Sequence, residues 1–135
     1  EVILPGLAAG KIVLCDRFAD STLAYQGYGH QLDLKTVDTI VNFATGGLKP
    51  DLTLLLDLDI DEGLRRRRKS GKLDRLETYE TDFYKRARLG FLDMAFKDPQ
   101  RWRIIDADKD METVEMSVWG EVHSYLQAIG MLGLV

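Results

Sequence analysis

The run Asp51 to Leu58 (DLTLLLDL) is almost continuously apolar, and it constrains the fold more than any other stretch of the chain. A strand with apolar side chains on both faces has to be covered on both faces, and helices provide that cover in parallel sheets. Pro50 marks the turn that leads into the run, and Asp57 and Asp59 stand where it ends. The run therefore predicts a buried strand in an α/β protein.

Two other short apolar runs predict strands, namely Lys11 to Cys15 (KIVLC) and Trp102 to Ile105 (WRII). Helical periodicity separates the three strands and follows the last one. Strands and helices alternating at this spacing imply right-handed crossovers, a parallel sheet and helices on both faces, which makes three layers in a single domain over 1–135. Helices are predicted over 20–26, over 34–44, from about 62, over 79–96 and over 111–129, and 6–12 is interpreted as a helix C-cap and turn. Asp59 or Asp61 is the candidate cap of the helix that begins near 62.

Composition argues against several classes of protein. With 22 acidic and 18 basic residues, the net charge is −4, and a surface that coats nucleic acid is not expected. No apolar stretch reaches the ~20 residues that span a bilayer, so we expect no membrane segment. The single cysteine, Cys15, rules out an intramolecular disulfide. We expect it to pack inertly in the core of a cytoplasmic protein.

A polar cluster, DRFADSTLAYQG, follows the first predicted strand. Arg17 offers a planar fork suited to phosphate, and Asp16 can hold that fork or reach Mg²⁺ through water. The next two helical turns add hydroxyls, an amide and an aromatic face that suit a nucleobase. The alternative is a helix cap at Asp20 or Ser21 with an Asp–Arg surface pair. The candidate base-reading residues are Ser21, Thr22, Tyr25 and Gln26.

A second cluster is the basic run Arg65 to Lys69, which precedes Ser70 and Gly71. Five consecutive helical positions go all the way round the axis, so they cannot share one solvent face. A helix with such an end, followed by a glycine hinge, has the form of a lid that clamps a transferring phosphoryl group. A solvated charge run and a nucleic-acid or nuclear-targeting patch are the alternatives.

Together these segments resemble the thymidylate kinase family. DRFADSTLAYQG is similar to the family's acceptor-binding signature, PDLTLLLDLD to its fourth strand and RRRRKSGKLDRLE to its lid, which would cover about 63–77. The resemblance implies a fold of the P-loop nucleoside monophosphate kinase type. It also implies transfer of the γ-phosphate of ATP to dTMP, giving dTDP, with Mg²⁺, in a cytoplasmic homodimer. The helix 34–44 is a candidate contact surface of that dimer, and the alternative is that its apolar stripe packs in the core.

The resemblance also implies roles for individual residues. Arg17 would hold the acceptor phosphate, supported by Asp16, and Tyr25 would disfavour a ribose 2′-OH. Ser21 and Thr22 would lie near the thymine, with Gln26 beside that pocket. On the ATP side, Ser70 stands where some bacterial members have a catalytic arginine, so Lys69 or Arg68 is the candidate substitute. The lid and ATP residues implied are Arg66, Arg68, Lys69, Asp74, Arg75, Asp106, Ala107 and Asp108.

The phosphate-binding loop G-x-x-x-x-G-K-S/T does not occur in these residues. The family carries that loop on a central strand upstream of this sequence, between the neighbours represented here by KIVLC and DLTLLLDL. We therefore expect residues 1–135 alone to be inactive and poorly stable, because unpaired strand edges would face each other. The alternatives are a kinase for another nucleotide or deoxynucleoside and a non-catalytic nucleotide- or nucleic-acid-binding module.

Overall fold

The computed structural model describes the backbone of residues 2–69 and 77–131, and the side chains of residues 2–66 and 81–131. The predicted helices are present with small shifts at their ends, although the first of them continues into a π-helical segment. The elements run in the order α1 (Ile3–Ala8), α2 (Ala19–Thr22), the π-helical segment (Leu23–Gly29), α3 (Leu34–Thr45), β1 (Thr53–Asp57), α4 (Ile60–Lys69), α5 (Glu77–Lys97), β2 (Trp102–Asp106) and α6 (Met111–Ala128).

The strands β1 and β2 pair in parallel, as the alternation of strands and helices predicts. Thr53 lies opposite Trp102 and Asp57 opposite Asp106, so both strands end at the same edge of the sheet. The N–H of Ala107 donates to the Asp57 carbonyl at 2.8 Å and extends the pairing one residue beyond the strands. The two neighbouring strands thus each end on an aspartate at the same edge of the sheet.

The strand predicted over 11–15 is wrong. This segment pairs with neither described strand, and the side chains of Ile12 and Leu14 are exposed. An apolar run becomes a strand only where a neighbour satisfies its N–H and C=O groups, and the described residues supply none here. The core position expected for Cys15 is wrong for the same reason, because Cys15 is exposed. Three layers are likewise not observed in this two-stranded sheet, and that feature stays a prediction.

The core lies where α5 packs against the π-helical segment and the sheet. Its buried apolar side chains include Ala24, Ala87, Trp102 and Ile105. The helices approach closely, since a Cβ on Gly90 would stand 2.5 Å from Cγ of Tyr28. Only glycine fits such a contact without displacing the ring. This packing fixes the π-helical segment relative to the strands.

Helix ends follow local signals in the sequence. The side chain of Asp33 caps α3 by accepting from the N–H of Thr36 at 2.7 Å, and Asp110 caps α6 by accepting from Thr113 at 2.9 Å. Gly46, with φ of 63°, ends α3 in the left-handed conformation that favours glycine. Asp59 accepts from the N–H of Asp61 and begins α4, as the sequence predicts. No described helix is both long and apolar enough to cross a membrane.

Candidate active site

An open groove of about 710 Å³ is lined by the segment 13–18, by β1 and by α5. Four of the predicted acceptor-site residues line it, and they come from the polar cluster after the segment 11–15. Asp57, at the end of β1, and Arg88, on α5, line it as well. In open parallel sheets, ligands bind beyond the carboxyl ends of the strands, which makes the end of this groove at Asp57 the candidate site. The four predicted residues are Asp16, Arg17, Ser21 and Tyr25.

Arg17 has a left-handed backbone, with φ of 62°, which is uncommon for a residue other than glycine. Such conformations cluster at functional sites, where surrounding contacts hold them. The guanidinium carbon lies 5.1 Å from the centre of the Tyr25 ring, in a cation–π contact. Tyr25 is in turn packed against Phe83 and Phe91, with ring centres 5.8 and 5.9 Å away. An aromatic platform therefore supports the Arg17 fork.

The guanidinium of Arg17 and the carboxylate of Asp16 have no hydrogen-bond or ion-pair partner among the described residues. Arg17 can thus offer its fork to an anion without first breaking a salt bridge. Mg²⁺ keeps several waters and commonly takes one or two carboxylates together with substrate phosphates. Asp16, as the groove carboxylate without an ion-pair partner among the described residues, fits that use. No group of three metal-ligating side chains occurs in the part of the chain that the structure describes.

Two predicted base-reading residues are not brought into the groove. Thr22 and Gln26 are exposed and absent from its lining, whereas Ser21 contributes to it. The π-helical segment, 23–29, carries Tyr25 and Gln26 on a wider helical turn than the predicted α-helix would give. π-Helical turns occur frequently at functional sites, and nothing in the sequence pattern predicts this one.

The structure pairs Asp20 with Arg101. This is neither a helix cap nor the exposed local Asp–Arg pair of the alternative interpretation. Arg101 donates to both carboxylate oxygens of Asp20, at 2.7 and 2.9 Å, and to the hydroxyl of Thr53 at 2.9 Å. Hydrogen bonding to Asp20 raises the pKa of Arg101. The pair ties α2 to the start of both strands.

Arg88 is a groove residue that sequence reasoning missed. Its guanidinium donates from Nε to Oδ1 of Asp57 at 2.7 Å and from Nη2 to Oδ2 at 2.9 Å. A third hydrogen bond, from Nη1, reaches Asp59 at 3.3 Å. The hydrogen bonds to Asp57 raise the pKa of Arg88. The sequence did carry one signal, which is Asp57 at the end of an apolar strand. A carboxylate that is partly shielded there favours a cationic partner.

Arg66, a predicted lid residue, contacts the loop 106–108, whose three residues are predicted to lie on the ATP side. It donates to the carbonyl of Ala107 at 3.1 Å and to Asp108 at 3.0 Å, while its Nε bonds Glu62 at 2.7 Å. Hydrogen bonds from Arg65 and then Arg66 lower the pKa of Glu62 to about 2. Within the loop, the N–H of Asp108 donates to the Asp106 carboxylate at 2.9 Å, and this hydrogen bond stabilises the turn. Two sets of predicted ATP-side residues are therefore in contact.

The remaining predicted site residues are not located by the structure. Asp74 and Arg75 lie outside the described residues, as does the whole part of the predicted lid over 70–76, and side chains are described only for 63–66 of that lid. Arg68 and Lys69 belong to α4 by their backbone, but their side chains are outside the described ones. The roles of all four stay predictions.

The parallel strand pair, its crossover helices and the groove along β1, which includes Asp57 at the carboxyl end of that strand, define an α/β protein of the open-sheet class. The family model described as thymidylate kinase matches residues 1–118. The chain belongs to the thymidylate kinase family, and the P-loop nucleoside monophosphate kinase fold is the one that this membership implies.

Curated thymidylate kinases from several bacteria are similar to most of the chain. The thymidylate kinase of Deinococcus radiodurans is 48% identical over 90% of this chain and 59% of its own length. That of Desulfovibrio desulfuricans is 45% identical over 96% of this chain and 63% of its own. That of Kosmotoga olearia is 42% identical over 96% of this chain and 62% of its own length. The chain thus spans about three fifths of the length of these relatives.

Proposed function

We propose that the complete gene product containing this chain is a kinase that transfers the γ-phosphate of ATP to dTMP. An oxygen of the dTMP phosphate attacks the γ-phosphorus, and the bond between that phosphorus and the bridging β-γ oxygen breaks. The products are dTDP and ADP. The observation that carries the proposal is the unpaired Arg17 fork, held on the Tyr25 ring at the groove. Family membership supports the choice of reaction and substrates.

On the acceptor side, Arg17 binds the dTMP phosphate by a bidentate contact. Tyr25 lies beside the sugar and disfavours a 2′-OH, and Ser21 contacts the base or sugar from the groove wall. Thr22 and Gln26 are assigned to the thymine pocket on the family resemblance, although both are exposed and outside the groove lining. Asp16 supports Arg17 or approaches the metal through water.

On the donor side, Arg66 and the loop 106–108 surround the ATP, with Arg68, Lys69, Asp74 and Arg75 completing the lid over about 63–77. The contacts of Arg66 with Ala107 and Asp108 support a shared site for these two elements. Mg²⁺ bound with ATP would neutralise charge on the transferring phosphoryl group. Catalysis by the protein consists mainly of positioning and electrostatic stabilisation.

The three-layer sheet belongs to this proposal as well. β1 pairs on one edge with β2, and its other edge faces the groove without a described strand partner. We propose that a strand bearing the phosphate loop G-x-x-x-x-G-K-S/T occupies this space, between β1 and the segment 11–15. The exposed Ile12 and Leu14 would then be covered.

Residues 1–135 expressed alone are accordingly predicted to be inactive and poorly stable. Few large side chains are buried among the described residues, and Leu14, Phe43 and Met111 are more than four-fifths exposed. Phe43 and Ile40 of α3 are consistent with the predicted homodimer surface, and a cytoplasmic location completes the proposal. Cooperative urea unfolding of residues 1–135, or phosphoryl transfer by them, would contradict this prediction.

The experiment that tests the function is an assay of the complete gene product with ATP and Mg²⁺ against a panel of monophosphates. The panel contains dTMP, dUMP, dCMP, dAMP, dGMP and their ribose counterparts, together with thymidine as a deoxynucleoside. We expect dTMP to have the highest kcat/KM. Preference for another acceptor would support the alternative kinase. Binding of nucleotide without turnover would support the non-catalytic module.

A further inference from the structure

Arg88 joins three parts of the fold through its guanidinium. Its contacts connect α5 with Asp57, the last residue of β1, and with Asp59, which begins α4. Arg88 retains about a third of its side-chain exposure and Asp57 a fifth, so both are partly shielded. Since the two carboxylates engage three of its five N–H donors, Arg88 has two left and cannot offer its Nε–Nη2 fork to a substrate phosphate without releasing Asp57.

The charge balance of the groove depends on this contact. Three carboxylates and two guanidiniums line the groove. Arg101, outside the lining, pairs with Asp20, and Arg88 pairs with Asp57. Asp16 and Arg17 are the two charged groove residues that have no ion-pair partner among the described residues. Without Arg88, the groove that receives an anionic phosphate would gain an unbalanced carboxylate.

We propose that Arg88 is a positioning residue whose positive charge keeps Asp57 from repelling the anionic acceptor at Arg17. The inference rests on the proposed function for its substrate, a nucleoside monophosphate. Arg88 acts through Asp57 and does not touch the reacting atoms. The role depends on charge more than on the bidentate geometry, because a unit charge acts over several ångströms in a partly shielded site.

The test compares Arg88→Gln, Arg88→Lys and the double variant Arg88→Gln with Asp57→Asn in the complete gene product. Arg103→Gln is the matched control, because Arg103 is also about a third exposed and pairs with Glu121, but does not line the groove. KM and kcat are measured with dTMP, the Kd for dTMP by calorimetry, and the folded state of each variant by thermal unfolding.

Arg88→Gln is expected to raise the KM and Kd for dTMP about tenfold, with kcat within about threefold of the wild type. Arg88→Lys keeps the charge and the double variant removes the carboxylate, so both should retain values close to wild type. Arg103→Gln should change neither constant.

Equal losses in Arg88→Lys and Arg88→Gln would overturn the proposal, because they would assign the role to fork geometry. An Arg88→Gln variant that behaves like Arg103→Gln, or that loses kcat at unchanged KM, would overturn it too. If Arg88→Gln does not fold, the other two variants decide the question. A raised Kd for dTMP in Arg88→Lys or in the double variant would then contradict the proposal. Absence of turnover in the wild type would count against the proposed kinase, while the Kd series would still decide the role of Arg88.

Discussion

Arg101 holds Asp20 across 81 positions of the sequence, with both terminal guanidinium nitrogens on the two carboxylate oxygens. Both side chains are about 15% exposed, so this ion pair is more shielded than the others that join distant parts of the described chain. It connects the helix that follows Arg17 with the first residues of the strands. Its loss should therefore affect stability.

Asp20→Ala is expected to lower the free energy of unfolding by about 2–3 kcal/mol, because it leaves the Arg101 guanidinium shielded without its main partner. The measurement is urea unfolding of the complete gene product. Glu121→Ala is the control, since its partner Arg103 and Glu121 itself are more exposed, and a loss below about 1 kcal/mol is expected there. Equal losses in the two variants would contradict the structural role of the Asp20 pair.

Gly90→Ala should destabilise the protein although alanine is the better helix former. The added Cβ would stand 2.5 Å from Cγ of Tyr28 and 2.6 Å from Cδ2, which forces the ring or the helix to move. A loss of about 1–3 kcal/mol is expected from such overpacking. Gly120 in α6 is the matched control, because nothing lies within 4 Å of a Cβ there, and Gly120→Ala should stabilise by up to about 1 kcal/mol. Urea unfolding of both variants gives the comparison, and a stable Gly90→Ala would contradict the close helix contact.

Tyr25→Ala should reduce discrimination between dTMP and its ribose counterpart, since the proposed wall beside the sugar is removed. The ratio of the two kcat/KM values is the measurement. Tyr25→Phe is the control, because it keeps the ring that supports Arg17 and packs against Phe83. Because the bulk of the ring excludes the 2′-OH in this proposal, Tyr25→Phe should keep the ratio of the two kcat/KM values close to that of the wild type. An unchanged ratio in Tyr25→Ala would remove the assigned role.

Local patterns in the sequence predicted the helices well. Apolar spacing located α3, α5 and α6 to within two residues at each end, and Asp59 was identified as a candidate cap for α4. These features depend on neighbours within one or two helical turns. The parallel direction of β1 and β2 followed from the alternation of strands and helices and from the crossover rule.

Features that depend on distant residues could not be predicted in the same way. The Arg88–Asp57 and Arg101–Asp20 pairs join residues 31 and 81 positions apart, and no periodicity marks such partners. The segment 11–15 has strand composition, but its backbone hydrogen bonds depend on another strand. The uncommitted Arg17 fork beside Tyr25 was located only in part, because the left-handed backbone and the cation–π contact are tertiary features.

The proposed function depends most directly on Arg17 as the residue that binds the acceptor phosphate. Arg17→Ala in the complete gene product is expected to lower kcat/KM for dTMP by a factor equivalent to about 2–4 kcal/mol of transition-state stabilisation. Arg103→Ala is the control for loss of a partly exposed arginine, and it should retain wild-type kinetics. Steady-state phosphoryl transfer with dTMP is the deciding measurement. A large loss confined to Arg17→Ala is the predicted result, and wild-type turnover by that variant would contradict the assignment of the groove as the acceptor site.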